Sequence, residues 1–289
     1  MQFKTKYLKI SALAIVAASF MACGGSDKPA ETPADSTATS SANNPPPSTV
    51  DDMVDFKFHY LIGNIPSPME LVDALPSAGF TFSKDLLNNI DNEKKYNTSF
   101  KKAVNFGVYS VDMAYIASNE EFTMVKSYMA TAQSLAKSLE LSETFNKVVG
   151  DRLKNNAENK DSLKKVIDHA YYEVDNYMRN NERALTATQM LTGSWIESQY
   201  ITLALIKDVA VSDQNKVLFE KIFEQKRHLE SLVSLLKEYA KEKEFAPTIE
   251  QLNALNEVYK TMKTEDVGNK DYMNKLYNNV AKIRQSITN

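Results

Sequence analysis

Apolar residues recur at three- and four-residue intervals along most of this chain, the spacing of one face of an α-helix. Phe100, Val104, Val108, Val111 and Tyr115 form one stripe. Val125, Tyr128, Met129, Ala132, Leu135, Ala136 and Leu139 form the next, after a cap at Asn119 and an acidic first turn, Glu120-Glu121. Ser142 caps a helix through Phe145, Val149 and Leu153, and Leu163, Val166, Ile167, Ala170, Val174 and Tyr177 mark another. A long helix is predicted over 182–207 and a longer one over 212–242. The last two stripes are Leu252, Leu255, Tyr259, Met262 and Met273, Leu276, Val280, Ile283, Ile287. Upstream, Ser67-Pro68-Met69-Glu70 reads as a capping box opening a short helix that closes near Gly79, with Pro76 bending its last turn. Val54, Phe56, Phe58, Tyr60 and Ile62 alternate as a half-buried strand would, but no partner strand is evident, so an extended segment is expected there.

These patterns predict an all-α fold, an antiparallel helical bundle of about eight to nine helices over residues 51–289. From Asp51 onward the chain has only six glycines and four prolines, which favours long helices over strands and turns. Eight substantial helices follow Thr98, and they divide into two sets of four, 98–181 and 182–289. Asn159-Lys160-Asp161 and Asn269-Lys270-Asp271 open the fourth helix of each set. Gly107-Val108-Tyr109-Ser110-Val111-Asp112 and Gly193-Ser194-Trp195-Ile196-Glu197 sit in the first helix of each. Duplication and chance recurrence of helix-start chemistry both account for these likenesses.

The N-terminus has a different composition. Residues 1–9 are basic, and Ile10 to Met21 is a run of small and apolar residues. Twelve residues rise only ~18 Å as a helix, too short for a ~30 Å hydrocarbon core. Residues 1–22 therefore read as a signal peptide. The run ends in Phe20-Met21-Ala22-Cys23-Gly24, which looks like a bacterial lipobox with Cys23 as the lipidated residue, although Phe20 stands where Leu is commonest. Two or more acyl chains, palmitate among them, make such an anchor stable. Gly24 rather than Asp after the cysteine points to the outer membrane by resemblance to enterobacterial sorting. Residues 24–50 hold five of the nine prolines and no aromatic side chain, so 23–50 is expected to be the lipidated cysteine and a disordered tether of ~25–30 Å mean reach.

Removing Lys4, Lys6 and Lys9 with the leader takes the formal net charge from −3 to about −6. An acidic chain without a basic block is a poor nucleic-acid binder. A single cysteine excludes an internal disulfide and a Cys-based zinc site. No metal or other cofactor is expected, and no P-loop, dinucleotide fingerprint, haem pair or nucleophile elbow is present.

Two acids stand in apolar surroundings: Asp112 among Val111, Met113, Ala114 and Tyr115, and Glu197 between Trp195-Ile196 and Tyr200-Ile201. If their helices cross at Gly107 and Gly193, where glycine permits close approach, the carboxylates converge, with Tyr115 and Tyr200 as hydroxyl partners. Such a pair suits ligand binding or general acid/base work; the plainer alternative is a structural polar network. His169 and Glu173 are spaced i, i+4 as two metal ligands would be, but no third ligand is near, and a solvated face is expected. Lys226 and Glu230 on the long helix also read as solvated surface.

Asn64-Ile65-Pro66-Ser67-Pro68-Met69-Glu70, Lys95-Tyr96, Asn105 to Tyr115 and Gly193-Ser194-Trp195-Ile196-Glu197 together resemble an uncharacterised family of α-helical lipoproteins from the Bacteroidota. The family commonly has Gly-Val-Tyr-Gly-Ala-Asp around the acid, where this chain has Ser110 in place of the second glycine. The resemblance implies fold and envelope location and supplies no catalytic residues.

The resulting expectation is a lipid-anchored envelope protein whose helical domain binds an unknown envelope protein or small ligand. The alternatives are an enzyme using Asp112 and Glu197, or a structural spacer. A pocket containing both acids would favour small-molecule chemistry, and a broad apolar patch a protein partner.

Overall fold

The scarcity of glycine and proline and the three-and-four spacing produce helices almost throughout, and no strand occurs among the described residues. A computed structural model of the protein describes residues 67, 69–143, 145–147, 160–180 and 183–289. The helices are α1 (Met69–Ala74), α2 (Ser99–Ser118), α3 (Phe122–Ser138), α4 (Lys160–Asn180), α5 (Ala184–Ile206), α6 (Lys216–Leu236), α7 (Ala246–Thr261) and α8 (Lys270–Thr288). Two 3-10 segments, Lys84–Leu86 and Ile90–Lys95, lie between α1 and α2. The all-α helical bundle is the observed fold. Seven long helices follow Thr98 among the described residues, and residues 142–143 and 145–147 are helical as well. Cys23, the alternating segment Val54 to Ile62, and Val149, Leu153 and Asn159 lie outside the described residues.

Several helix ends differ from expectation, each for a local reason. Asn119 closes α2 instead of opening α3: its side-chain amide donates to the Tyr115 carbonyl at 2.8 Å. Glu120 takes a left-handed φ of 63°, and the Glu121 N–H reaches back to the Ile116 carbonyl at 3.1 Å. At α1, the Ser67 hydroxyl accepts from the Met69 N–H at 3.3 Å, but Glu70 pairs with Lys221 on α6 rather than turning back to complete the box. Gly79, at φ +85°, ends the turn that follows. The helix expected over 212–242 is shorter, because Asn215 folds back, accepting from the Ser212 N–H at 2.7 Å and donating to the Ala210 carbonyl at 3.0 Å. Lys226 is not merely solvated: its ammonium donates to the Lys260 and Met262 carbonyls at 3.1 and 3.2 Å and caps the end of α7. Asn269 does cap α8, accepting from the Tyr272 N–H at 3.1 Å.

Two helices form the centre. Every residue from Ala103 to Ser118 in α2, and from Ala187 to Gln199 in α5, is buried. These segments have no solvent face, so their hydroxyls must be satisfied internally. Ser110 donates to the Phe106 carbonyl, Thr188 to Ala184 and Thr192 to Thr188, all at 2.7–2.8 Å. The other long helices keep one apolar face. In α8, Met273, Leu276, Val280, Ile283 and Ile287 are buried. In α4, Val166, Ile167, Ala170 and Val174 are buried, whereas Tyr177, expected in the stripe, is exposed.

α2 and α5 touch at their glycines. A Cβ on Gly107 would lie 2.0 Å from the Met190 carbonyl oxygen, and one on Gly193 would lie 1.8 Å from that of Val104. Each glycine thus sits on the carbonyl three residues before the other, a pseudo-twofold crossing of helices that run in the same direction. Only a residue without a side chain permits this approach. The Ser194 hydroxyl bridges the seam, donating to the Gly107 carbonyl at 3.2 Å.

Candidate functional site

One turn beyond the crossing, α2 and α5 carry Asp112 and Glu197. Because the helices run parallel there, both acids emerge on the same side of the contact. Each is fully buried. Across from them lies α8, antiparallel to both, and it supplies Arg284. The guanidinium forks onto Glu197: Nε donates to Oε2 at 2.7 Å and Nη2 to Oε1 at 2.8 Å. Two parallel charge-assisted bonds fix position as well as charge. Nη2 also donates to the Leu86 carbonyl at 3.1 Å, which ties the 3-10 segment into the cluster. The Tyr200 ring covers the guanidinium at 4.2 Å.

Asp112 accepts from the Asn88 N–H at 3.2 Å through Oδ2, while Oδ1 has no donor. Burial first, and the negative charge of Glu197 second, push the Asp112 carboxyl well above the usual carboxylate range. That direction favours a neutral, protonated Asp112 beside Glu197. Burial opposes the charge of Arg284, but Glu197 more than offsets this, so the guanidinium is held even more firmly protonated than usual. The three groups together carry no net charge.

Asn88 organises the surroundings. Its side-chain amide donates to the Tyr96 hydroxyl at 3.0 Å, its Oδ1 accepts from Asn92 at 2.8 Å, and its carbonyl accepts from the Tyr128 hydroxyl at 3.0 Å. Tyr109 donates to the Asn89 carbonyl at 2.8 Å. Asn105 donates to the Ile287 carbonyl at 2.8 Å, and Tyr96 to that of Thr288 at 3.3 Å, pinning the end of α8. Burial raises the Tyr96, Tyr109 and Tyr128 hydroxyls, so they act as neutral donors.

The two tyrosines expected beside the acids do something else. The Tyr115 hydroxyl accepts from the Ser83 N–H at 2.9 Å, and its ring packs on Phe82 at 5.1 Å. Tyr200 meets the cluster through its ring, stacked at 5.8 Å on Tyr277, which in turn lies under the Lys207 ammonium at 5.3 Å. Arg284, Tyr200, Tyr277 and Lys207 therefore form a continuous ladder. His169 and Glu173 pair at 3.8 Å with side chains 41% and 37% exposed, and no group of three metal-ligating side chains occurs among the described residues.

Above Arg284 opens a cleft of about 420 Å³, lined by Asn88, Asn89, Asn92, Tyr200, Tyr277 and Gln285 among others. The two acids do not line it. Arg284 was the residue that sequence patterning missed: it lies beside Ile283 on the apolar face of α8. The available signal was composition, since only five of the 34 basic residues are arginine, the side chain suited to a buried fork. The asparagines at 88, 89 and 92 were a second unused signal.

Chemically, the buried pair can share a proton but cannot touch a solute. What reaches the cleft is the guanidinium that Glu197 holds. Compared with known proteins, the chain matches no protein-family model, no curated protein and no solved structure.

Proposed function

We propose that this is a lipid-anchored cell-envelope protein, tethered through Cys23 and the proline-rich segment after it, whose helical domain binds a small polar ligand in the cleft over Arg284. One observation carries the binding reading: a guanidinium is locked at the floor of an amide-lined cleft by the buried Glu197, which lies beside Asp112 one turn past a glycine crossing. An arrangement needed only for stability is served as well by apolar side chains. A concave opening with a few convergent polar groups is the default place for a ligand. Sealing of both acids away from the cleft argues against the carboxylate-enzyme alternative. Among the described residues no helix is long and apolar enough to cross a membrane, so attachment in this proposal rests on the lipid. Outer-membrane placement and membership of the Bacteroidota lipoprotein family belong to the same proposal, supported by Gly24 and by the resemblance around Asp112 and Glu197.

Two experiments test it. Metabolic labelling with a fatty-acid analogue should mark the protein and lose the mark in Cys23→Ala; an unmarked wild-type chain removes the anchor. Incubation with a small-molecule extract of the envelope, followed by washing and mass spectrometry, should enrich compounds on the wild type. Gln285→Ala with Asn92→Ala should lose them. Equal recovery from both proteins would leave the spacer reading ahead.

A further inference from the structure

The chemistry left unused in the cleft narrows the ligand. Of the guanidinium nitrogens, Nε and Nη2 are committed to Glu197 and Leu86, and only Nη1 has no protein partner among the described residues. Arg284 is partly exposed, at 14% of its side chain, and lines the cleft, so Nη1 is the donor it offers. Asn89 uses its Oδ1 to accept from the Asp91 N–H at 2.9 Å, which leaves its Nδ2 as a second donor. Asn92 spends its amide nitrogen on Asn88 and offers Oδ1 as an acceptor, while Gln285 is uncommitted. The ring faces are already engaged: Tyr200 by Arg284 and Tyr277, and Tyr277 by Tyr200 and Lys207. A ligand that binds by stacking finds no platform. A ligand that binds by hydrogen bonds finds two or three donors beside an acceptor.

Charge selects further. Glu197 already matches the guanidinium, and the neutral Asp112 adds nothing, so the floor carries no net charge under a strong cationic donor. A monoanion gains a charge-assisted bond there. A phosphate dianion would bring a second negative charge with no cation to receive it.

We propose that the cleft over Arg284 binds a small organic monocarboxylate that carries an amide or hydroxyl group next to the acid. The carboxylate accepts from Arg284 Nη1 and Asn89 Nδ2, and the neighbouring polar group meets Asn92 and Gln285. This rests on the binding reading above and specifies its ligand class.

The test uses N-acetylglycine as the carboxylate, N-acetylglycinamide as its neutral isostere, and inorganic phosphate at about pH 8, where it is mainly the dianion. Each is titrated into the full mature chain labelled with 15N-arginine. The Arg284 Nε–H signal, assigned through its contact with the Tyr200 ring, reports occupancy. N-acetylglycine should shift it saturably with a Kd of about 1 mM, the range for a few hydrogen bonds in an open cleft. The amide and phosphate should bind about tenfold more weakly or not at all. Gln285→Ala, at an exposed position of the cleft, should weaken the carboxylate about threefold while leaving thermal unfolding in place, and Asn92→Ala, which also removes the bond to Asn88, should weaken it at least as much. Equal binding of the amide would overturn the carboxylate assignment and leave the cleft as a binding site. No saturable shift with any of the three would overturn it as well, and the extract experiment then decides whether the cleft binds anything else.

Discussion

Two acid-containing pairs in this protein make opposite use of their positions. His169 and Glu173 stand one turn apart on α4, the spacing that sequence reading rewards, yet both are over a third exposed and meet only at 3.8 Å. Asp112 and Glu197 are 85 residues apart in sequence, yet both are buried together, and the charge of Glu197 helps raise the Asp112 carboxyl. The difference teaches that periodic spacing brings side chains to one face of a helix, whereas burial gives them consequence. A charge in water interacts weakly across a few ångströms; the same charge without solvent must be matched.

The largest break in this contrast should come from Glu197→Ala. It strands Arg284 without a countercharge in the interior and should cost about 3–5 kcal/mol in denaturant unfolding. A loss under 1 kcal/mol would mean that the fork is not closed in solution. Next come the glycines that place the pair. Gly107→Ala or Gly193→Ala puts a methyl into a carbonyl oxygen on the facing helix, so the seam must open, at about 1–3 kcal/mol or more. An unchanged melting temperature in both variants would contradict the crossing.

Asp112→Asn sharpens the comparison instead of breaking it. An amide can still donate to Glu197, so the loss at low pH should stay near 1 kcal/mol. The pH profile is more telling. In the native state Asp112 keeps a proton that the unfolded chain releases above about pH 4. Its contribution is therefore fully present below that pH and is lost as pH rises toward the raised native value. Wild type should lose up to about 1.4 kcal/mol per pH unit relative to Asp112→Asn in that window, and parallel profiles would place the proton elsewhere.

Smaller effects belong to the surface. Lys226→Ala uncaps α7 and should cost about 0.5–1.5 kcal/mol, read as faster amide exchange over residues 258–262. His169→Ala should change stability by no more than about 0.5 kcal/mol in denaturant unfolding. A larger change would restore interest in that face as a site.

Parts of the candidate site were legible in advance. Asp112 and Glu197 stood out because each interrupts an apolar run, and Gly107 and Gly193 because mid-helix glycine is costly unless something approaches closely. Arg284 was invisible because its partner is 87 residues away and its helix has an otherwise ordinary apolar stripe. Tyr115 and Tyr200 were assigned to the acids by proximity in sequence. A helical neighbour three residues on points to the same face but not to the same partner, and Ser83 and Arg284 claimed the two tyrosines instead. Ends of helices were misread at Asn119 and Ser212, since a residue that can cap either the helix before or the helix after it is placed by the geometry of the turn.

By itself the sequence determined that the chain is helical, roughly where each helix runs, which faces are apolar, and which acids and glycines are out of place. Those properties follow from local periodicity and backbone preference, which neighbouring residues settle among themselves. Only the tertiary structure decided that α2 and α5 are enclosed on all sides, that they meet glycine to carbonyl, and that an arginine from the last helix closes over both acids. These are contacts between distant segments, and they exist only once solvent has been excluded from the space the segments share.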